Sequence, residues 1–65
     1  MAERNFRVDY DKEEDMLHIS RGEKVKFSFD IDLPRGDIVI DFGFGGQIVG
    51  LEFFDASNYF PFLKK

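Results

Sequence analysis

Residues 37–57 read DIVIDFGFGGQIVGLEFFDAS, and this stretch decides the fold. Apolar and polar residues alternate on both sides of a glycine-rich centre, as in two strands joined by a tight turn. A four-residue loop at 43–46 would set Phe42 opposite Gln47, Ile40 opposite Val49 and Ile38 opposite Leu51. Ile38, Ile40, Phe42, Val49, Leu51 and Phe53 would then share one face, and Val39, Asp41, Ile48, Gly50 and Glu52 the other. A two-residue loop keeps these faces, whereas an odd loop mixes Asp41 and Glu52 into the apolar set. The side that must stay dry sets the register. An even loop is therefore expected, with Gly46 as its left-handed residue.

Upstream, residues 24–33 alternate without a break, Val25, Phe27, Phe29, Ile31 and Leu33 against Lys24, Lys26, Ser28, Asp30 and Asp32. Period two with one wet face indicates an antiparallel strand. Residues 5–10 alternate likewise through Phe6, Val8 and Tyr10, and residues 16–20 turn Leu17 and Ile19 inward. The charged run 11–15, Arg21-Gly22-Glu23 and Pro34-Arg35-Gly36 read as turns. Downstream, Asp55 reads as an N-cap for the amides of Ser57 or Asn58. Ala56, Tyr59, Phe60 and Leu63 stand at helical spacing, but Pro61 limits that helix to one or two turns ending near Phe60. The expectation is a mainly β (α+β) domain over 1–65. It is an antiparallel meander of about five short strands with a short C-terminal helix or turn. A polar N-terminus at 1–4 and an aromatic tail at 58–65 flank it.

A chain of 65 residues buries only about 60% of the surface its unfolded form exposes. It has no cysteine and one histidine, which removes disulfides and thiolate metal sites. Nine Phe and two Tyr supply either dense packing or self-association, and a homodimer is expected. The net charge is −4, with nine basic residues scattered among thirteen acidic ones. That balance disfavours nucleic acid, whose binders cluster Lys and Arg against phosphate. No segment approaches the ~20 apolar residues of a membrane span, and residues 1–11 lack the apolar core of a signal peptide. A cytoplasmic protein with no membrane contact and no cofactor is expected. Charged residues at 34% with no Cys or Trp also suit a thermophile.

Tyr10-Asp11-x-x-x-Asp15-x-Leu17-x-Ile19, then Ile38-Val39-Ile40-Asp41, Gly46-x-Ile48-Val49-Gly50-Leu51-Glu52 and Ala56-Ser57, resemble the family called domain of unknown function 2283. The resemblance covers roughly residues 8–57 and implies a small mostly-β fold with no established enzymatic activity. It implies Tyr10, Asp11, Asp15, Asp41, Gly46, Gly50, Glu52 and Ser57 as motif residues, and, through the company some members keep, an antitoxin-like role toward a small basic protein. His18 stands where the family has Tyr, the turn is Phe-Gly-Phe-Gly-Gly instead of Asp-rich, and the Phe-rich tail is this chain's own.

Four patterns invite chemistry. Asp9, Asp11, Glu13, Glu14 and Asp15 form an acidic run, but an EF-hand loop begun at Asp9 would need Gly and Glu where Glu14 and Ser20 stand. A solvated turn held by Asp11 and Asp15 explains the run. Asp41 and Glu52 share a face and could serve metal-dependent chemistry; the plainer role is pairing with Lys24, Lys26 or Arg7. His18 with Ser20 or Ser57 lacks a third group to orient a catalytic pair. The glycines at 43, 45 and 46 precede a strand, not the helix that a phosphate cradle requires. The aromatics carry more weight. Phe54, Tyr59, Phe60 and Phe62 exceed what so small a core can hold and are the interface candidates; the alternative is a tail folded over its own sheet.

Overall fold

The computed structural model describes residues 6–64. The polar segment 1–4 and Asn5 lie outside the described residues. Five strands, β1 (Arg7–Asp11), β2 (Met16–Ser20), β3 (Phe27–Ile31), β4 (Ile38–Phe42) and β5 (Ile48–Phe54), are followed by two 3₁₀ turns, Ala56–Asn58 and Pro61–Lys64. The strands form one antiparallel sheet in the order β1-β2-β5-β4-β3. β3, β4 and β5 run as a meander, while the connection after β2 passes the β4–β5 loop, where Glu23 meets Gln47, to reach the far edge. β3 is shorter than the alternation at 24–33, and Val25 and Leu33 lie beyond it.

The alternation does its work across all five strands. Val8, Ile19, Leu51, Ile40 and Phe29 stand in one registered row, and Tyr10, Leu17, Phe53, Ile38 and Ile31 in the next. Both rows lie on the same face. The opposite face carries Asp9, His18, Glu52, Val39 and Asp30 in one row and Arg7, Ser20, Gly50, Asp41 and Ser28 in another.

The hairpin keeps its faces by a different route from the one expected. The Gly43 N–H donates to the Gln47 carbonyl at 2.8 Å, and the Gly46 N–H to the Gly43 carbonyl at 3.1 Å. The loop proper is therefore Phe44-Gly45-Gly46, an odd number, with Gly46 at φ +85°. Continued alone, that register would have turned Glu52 inward. It does not continue. Phe42 faces Ile48 while Asp41 faces Gly50, so Val49 is an extra residue in β5. This β-bulge restores the parity, and Ile40 pairs with Leu51 and Ile38 with Phe53.

Only one end of the apolar face is covered. Asp55 turns the chain at φ +55° and makes no side-chain cap bond, so the expected N-cap is absent. Pro61 opens a second 3₁₀ turn where an irregular tail was expected; its missing N–H costs nothing at such a start. The tail folds back so that the Tyr59 and Phe60 rings pack against Phe53, at 6.0 and 5.3 Å between centroids. The core is Leu17, Val49 and Ala56. The Cα radius of gyration is 12.6 Å, against about 11 Å for a well-rounded domain of this length. One sheet with a partial second layer accounts for the excess.

Candidate functional site

Four of the family-motif residues, Tyr10, Asp11, Asp15 and Ser57, gather at the covered end, where they tie the β1–β2 turn and the first 3₁₀ turn. Asp15 lies in the β1–β2 turn at φ +54°. Its Oδ1 accepts the Tyr10 hydroxyl at 2.6 Å and the Ser57 N–H at 3.0 Å, and its Oδ2 accepts the Ser57 hydroxyl at 2.7 Å. The Asp15 carbonyl takes the Ala56 N–H at 2.9 Å. The cap of the first 3₁₀ turn thus comes from a carboxylate 42 residues away, in place of Asp55. The bond to Asp15 also pushes the Tyr10 phenol up to about 12, because it favours the protonated hydroxyl. Asp11 accepts the Glu13 and Glu14 N–H groups, an Asx turn that explains the acidic run.

The β3–β4 turn grips the same 3₁₀ segment from the other side. The Tyr59 hydroxyl donates to the Gly36 carbonyl at 2.7 Å, and Asn58 Nδ2 to the Arg35 carbonyl at 2.8 Å. Gly36, at φ +139°, lies against the Phe54 carbonyl oxygen with no room for a Cβ. Beside it, Asp37 shares a hydrogen bond with Asp32, which raises its carboxyl above the ordinary range.

On the polar face, Asp41 and Glu52 are diagonal neighbours across β4 and β5. The Ser28 hydroxyl donates to Asp41 Oδ1 at 2.6 Å, and His18 Nε2 lies 3.8 Å from Glu52 Oε2. These partners replace the basic ones expected. Gly50 makes room for Asp41, because a Cβ there would stand 2.7 Å from Asp41 Oδ2. Among the described residues no three His, Asp or Glu side chains gather as metal ligands would, and no enclosed pocket is present. His18 stands on β2 beside Glu52, whereas Ser57 lies in the first 3₁₀ turn and bonds Asp15. No helix among the described residues is long and apolar enough to cross a membrane.

At the β4–β5 loop end, Gln47 Nε2 donates to Glu23 Oε1 at 2.9 Å, and Arg21 Nη2 meets Glu23 Oε2 at 2.9 Å. The Gln47 amide lies over the loop, where a Cβ on Gly43 or Gly45 would stand under 3 Å from it. Two of the loop glycines therefore make room for a glutamine.

The aromatic surface divides. Tyr59 and Phe60 serve their own chain, Phe54 is 38% exposed beside Met16 on the opposite face, and Phe62 is 67% exposed. The larger apolar exposure lies at β3, where every residue is exposed. Phe27 stacks on Phe42 at 5.1 Å and Phe29 meets both edge-on, yet Phe27 and Phe29 remain 46% and 59% exposed. Sequence reading placed these rings on the dry face and could not tell that nothing covers it, because strand order decides which strand lies at an edge. Gly36 reads as a turn residue, but its steric limit gave no signal, since the close neighbour is Phe54.

The family model described as "Protein of unknown function (DUF2283)" matches residues 7–57. An uncharacterised protein of Methanocaldococcus jannaschii is 42% identical over 55 residues, covering 83% of this chain and 44% of that protein. The chain thus spans under half the length of that relative. No solved structure matches at a significant level. The matched segment runs from the start of β1 to Ser57, the last residue of the Asp15 tie, and the chain belongs to the DUF2283 family of proteins of unknown function.

Proposed function

We propose that this protein is a non-catalytic interaction module that associates with a second copy of itself. The observation that carries this reading is the β3 edge. Val25, Phe27, Phe29, Ile31 and Leu33 each expose between 37% and 59% of their surface, roughly 400 Å² of apolar area at ordinary side-chain sizes. A patch of that size lies in the range of the largest found on soluble monomers, where such patches are commonly functional. Two of the tail's rings, Tyr59 and Phe60, already have a partner in Phe53. The covering of β3 is supplied by another chain.

Sedimentation of the intact protein across a concentration series tests this. A dimer that gives way to monomer in Phe29→Thr, with the β-sheet circular dichroism unchanged, supports the reading. A folded monomer at every concentration overturns it.

A further inference from the structure

We infer that two copies join edge to edge, β3 against β3, in antiparallel register centred on Phe29, giving one continuous ten-strand sheet. The inference rests on the self-association proposed above and specifies its geometry. It begins with the free hydrogen-bonding groups of the edge. The Phe54 N–H donates to the Asp37 carbonyl, so by antiparallel alternation Val39 and Asp41 also face β5, and Ile38, Ile40 and Phe42 face β3. The Phe42 carbonyl does face β3, where it accepts the Lys26 N–H one residue out of register, so the regular edge begins at Phe27 and the chain before it must straighten to extend the pairing. In the register of β3 with β4, the backbone of Phe27, Phe29 and Ile31 is then taken, and that of Ser28 and Asp30 points outward.

A two-fold axis at Phe29 sets Ser28 opposite Asp30 of the other copy, and Asp30 opposite Ser28. Each pair exchanges both of its free N–H···O=C bonds. Phe29 then meets Phe29 at the closely spaced, non-hydrogen-bonded position. The side chains complement one another in the same register. Phe27 faces Ile31 and Val25 faces Leu33 on the apolar side. Lys26 faces Asp32, twice, on the polar side. This accounts for the alternation at 24–33, which is longer than β3 itself: the flanking residues are patterned for a strand that forms against a partner. The other edge does not offer the same solution. On β1 the outward residues are Val8 and Tyr10, and the equivalent axis would place Asp9 directly against Asp9, an unfavourable like-charge pair.

The chain has no cysteine, so single substitutions report the register cleanly. Phe29→Cys should form a covalent dimer under mild oxidant, because only this position opposes itself at a Cα separation of about 4.5 Å. Ser28→Cys and Ile31→Cys, which face other residues, should stay reduced. Lys26→Asp should raise the dissociation constant about tenfold, and Lys26→Asp combined with Asp32→Lys should restore it. Should Phe29→Cys fail to assemble, amide exchange on the native chain decides: the Ser28 and Asp30 amides should gain protection as concentration rises. A native dimer in which those two amides exchange freely, or in which Phe29→Cys assembles without crosslinking, overturns this register and leaves self-association standing. A native monomer at all concentrations overturns both.

Discussion

The two ends of the apolar face are built from the same pattern and reach opposite outcomes. At the Phe53 end, two turns and the C-terminal 3₁₀ segment close over the rings, and their polar groups are satisfied by Asp15, Gly36 and Arg35. At the β3 end, Phe27, Phe29 and Phe42 pack on one another, and Phe27 and Phe29 stay 46% and 59% exposed. Alternation therefore specifies a dry face without specifying what dries it. One end is finished by the chain and the other, the end proposed for a second copy, stays open, so substitutions at the two ends should separate folding from association.

The largest effect should come from Gly36→Ala, which drives a Cβ into the Phe54 carbonyl at a left-handed φ; a loss of about 4 kcal/mol in urea unfolding is expected. Asp15→Ala orphans the Tyr10 hydroxyl and the Ser57 N–H and hydroxyl together, and should cost about 3 kcal/mol. At the open end, Phe29→Thr should cost about 1 kcal/mol or less in the monomer's unfolding while abolishing dimer sedimentation. If it cost the monomer as much as Asp15→Ala, the division between the ends would fail.

Two pH effects refine the comparison. The Tyr10 phenol titrates at about 12 folded and 10.0 unfolded, so its stabilisation is complete below pH 10 and drains away between pH 10 and 12. Thermal unfolding should show that drop in the wild type and a smaller one in Tyr10→Phe. Asp37 is raised above its ordinary 3.8 by its bond to Asp32; the shared proton stabilises the fold below that value and is lost as pH rises past it. Asp37→Asn should therefore raise the melting temperature slightly at pH 7 and leave it unchanged at pH 3, the smallest effect of the set.

Much of this fold was legible in the sequence because its information is local. The strands follow from period two, and Gly22 and Gly46 take the positive φ their turns require. The faces of the central hairpin were also legible, although the pairing lies two residues from the register expected. The reason is physical: an odd loop and a bulge cancel in parity, and parity is all that a hydrophobic pattern records. What was not legible depends on strand order. The cap of the last segment comes from Asp15, and the steric limit on Gly36 comes from Phe54. Neither neighbour is near in sequence. For the same reason the candidate interface moved from the tail, read as surplus aromatics, toward β3, read as core.

The tie between Asp15 and Ser57 has a consequence for the order of folding. It joins groups 42 residues apart, whereas β1 with β2, and β3 through β5, can pair through short turns. Contacts of long sequence separation carry a larger loop-closure cost and tend to follow local ones. The two hairpin units should therefore form first, and the docking of β2 on β5, sealed by Asp15, should come late. Weakening the seal would then speed unfolding while leaving the refolding rate nearly unchanged. Asp15 and Ser57, two of the residues that mark the family, would act as a latch on the finished sheet, setting how long it lasts more than how fast it forms.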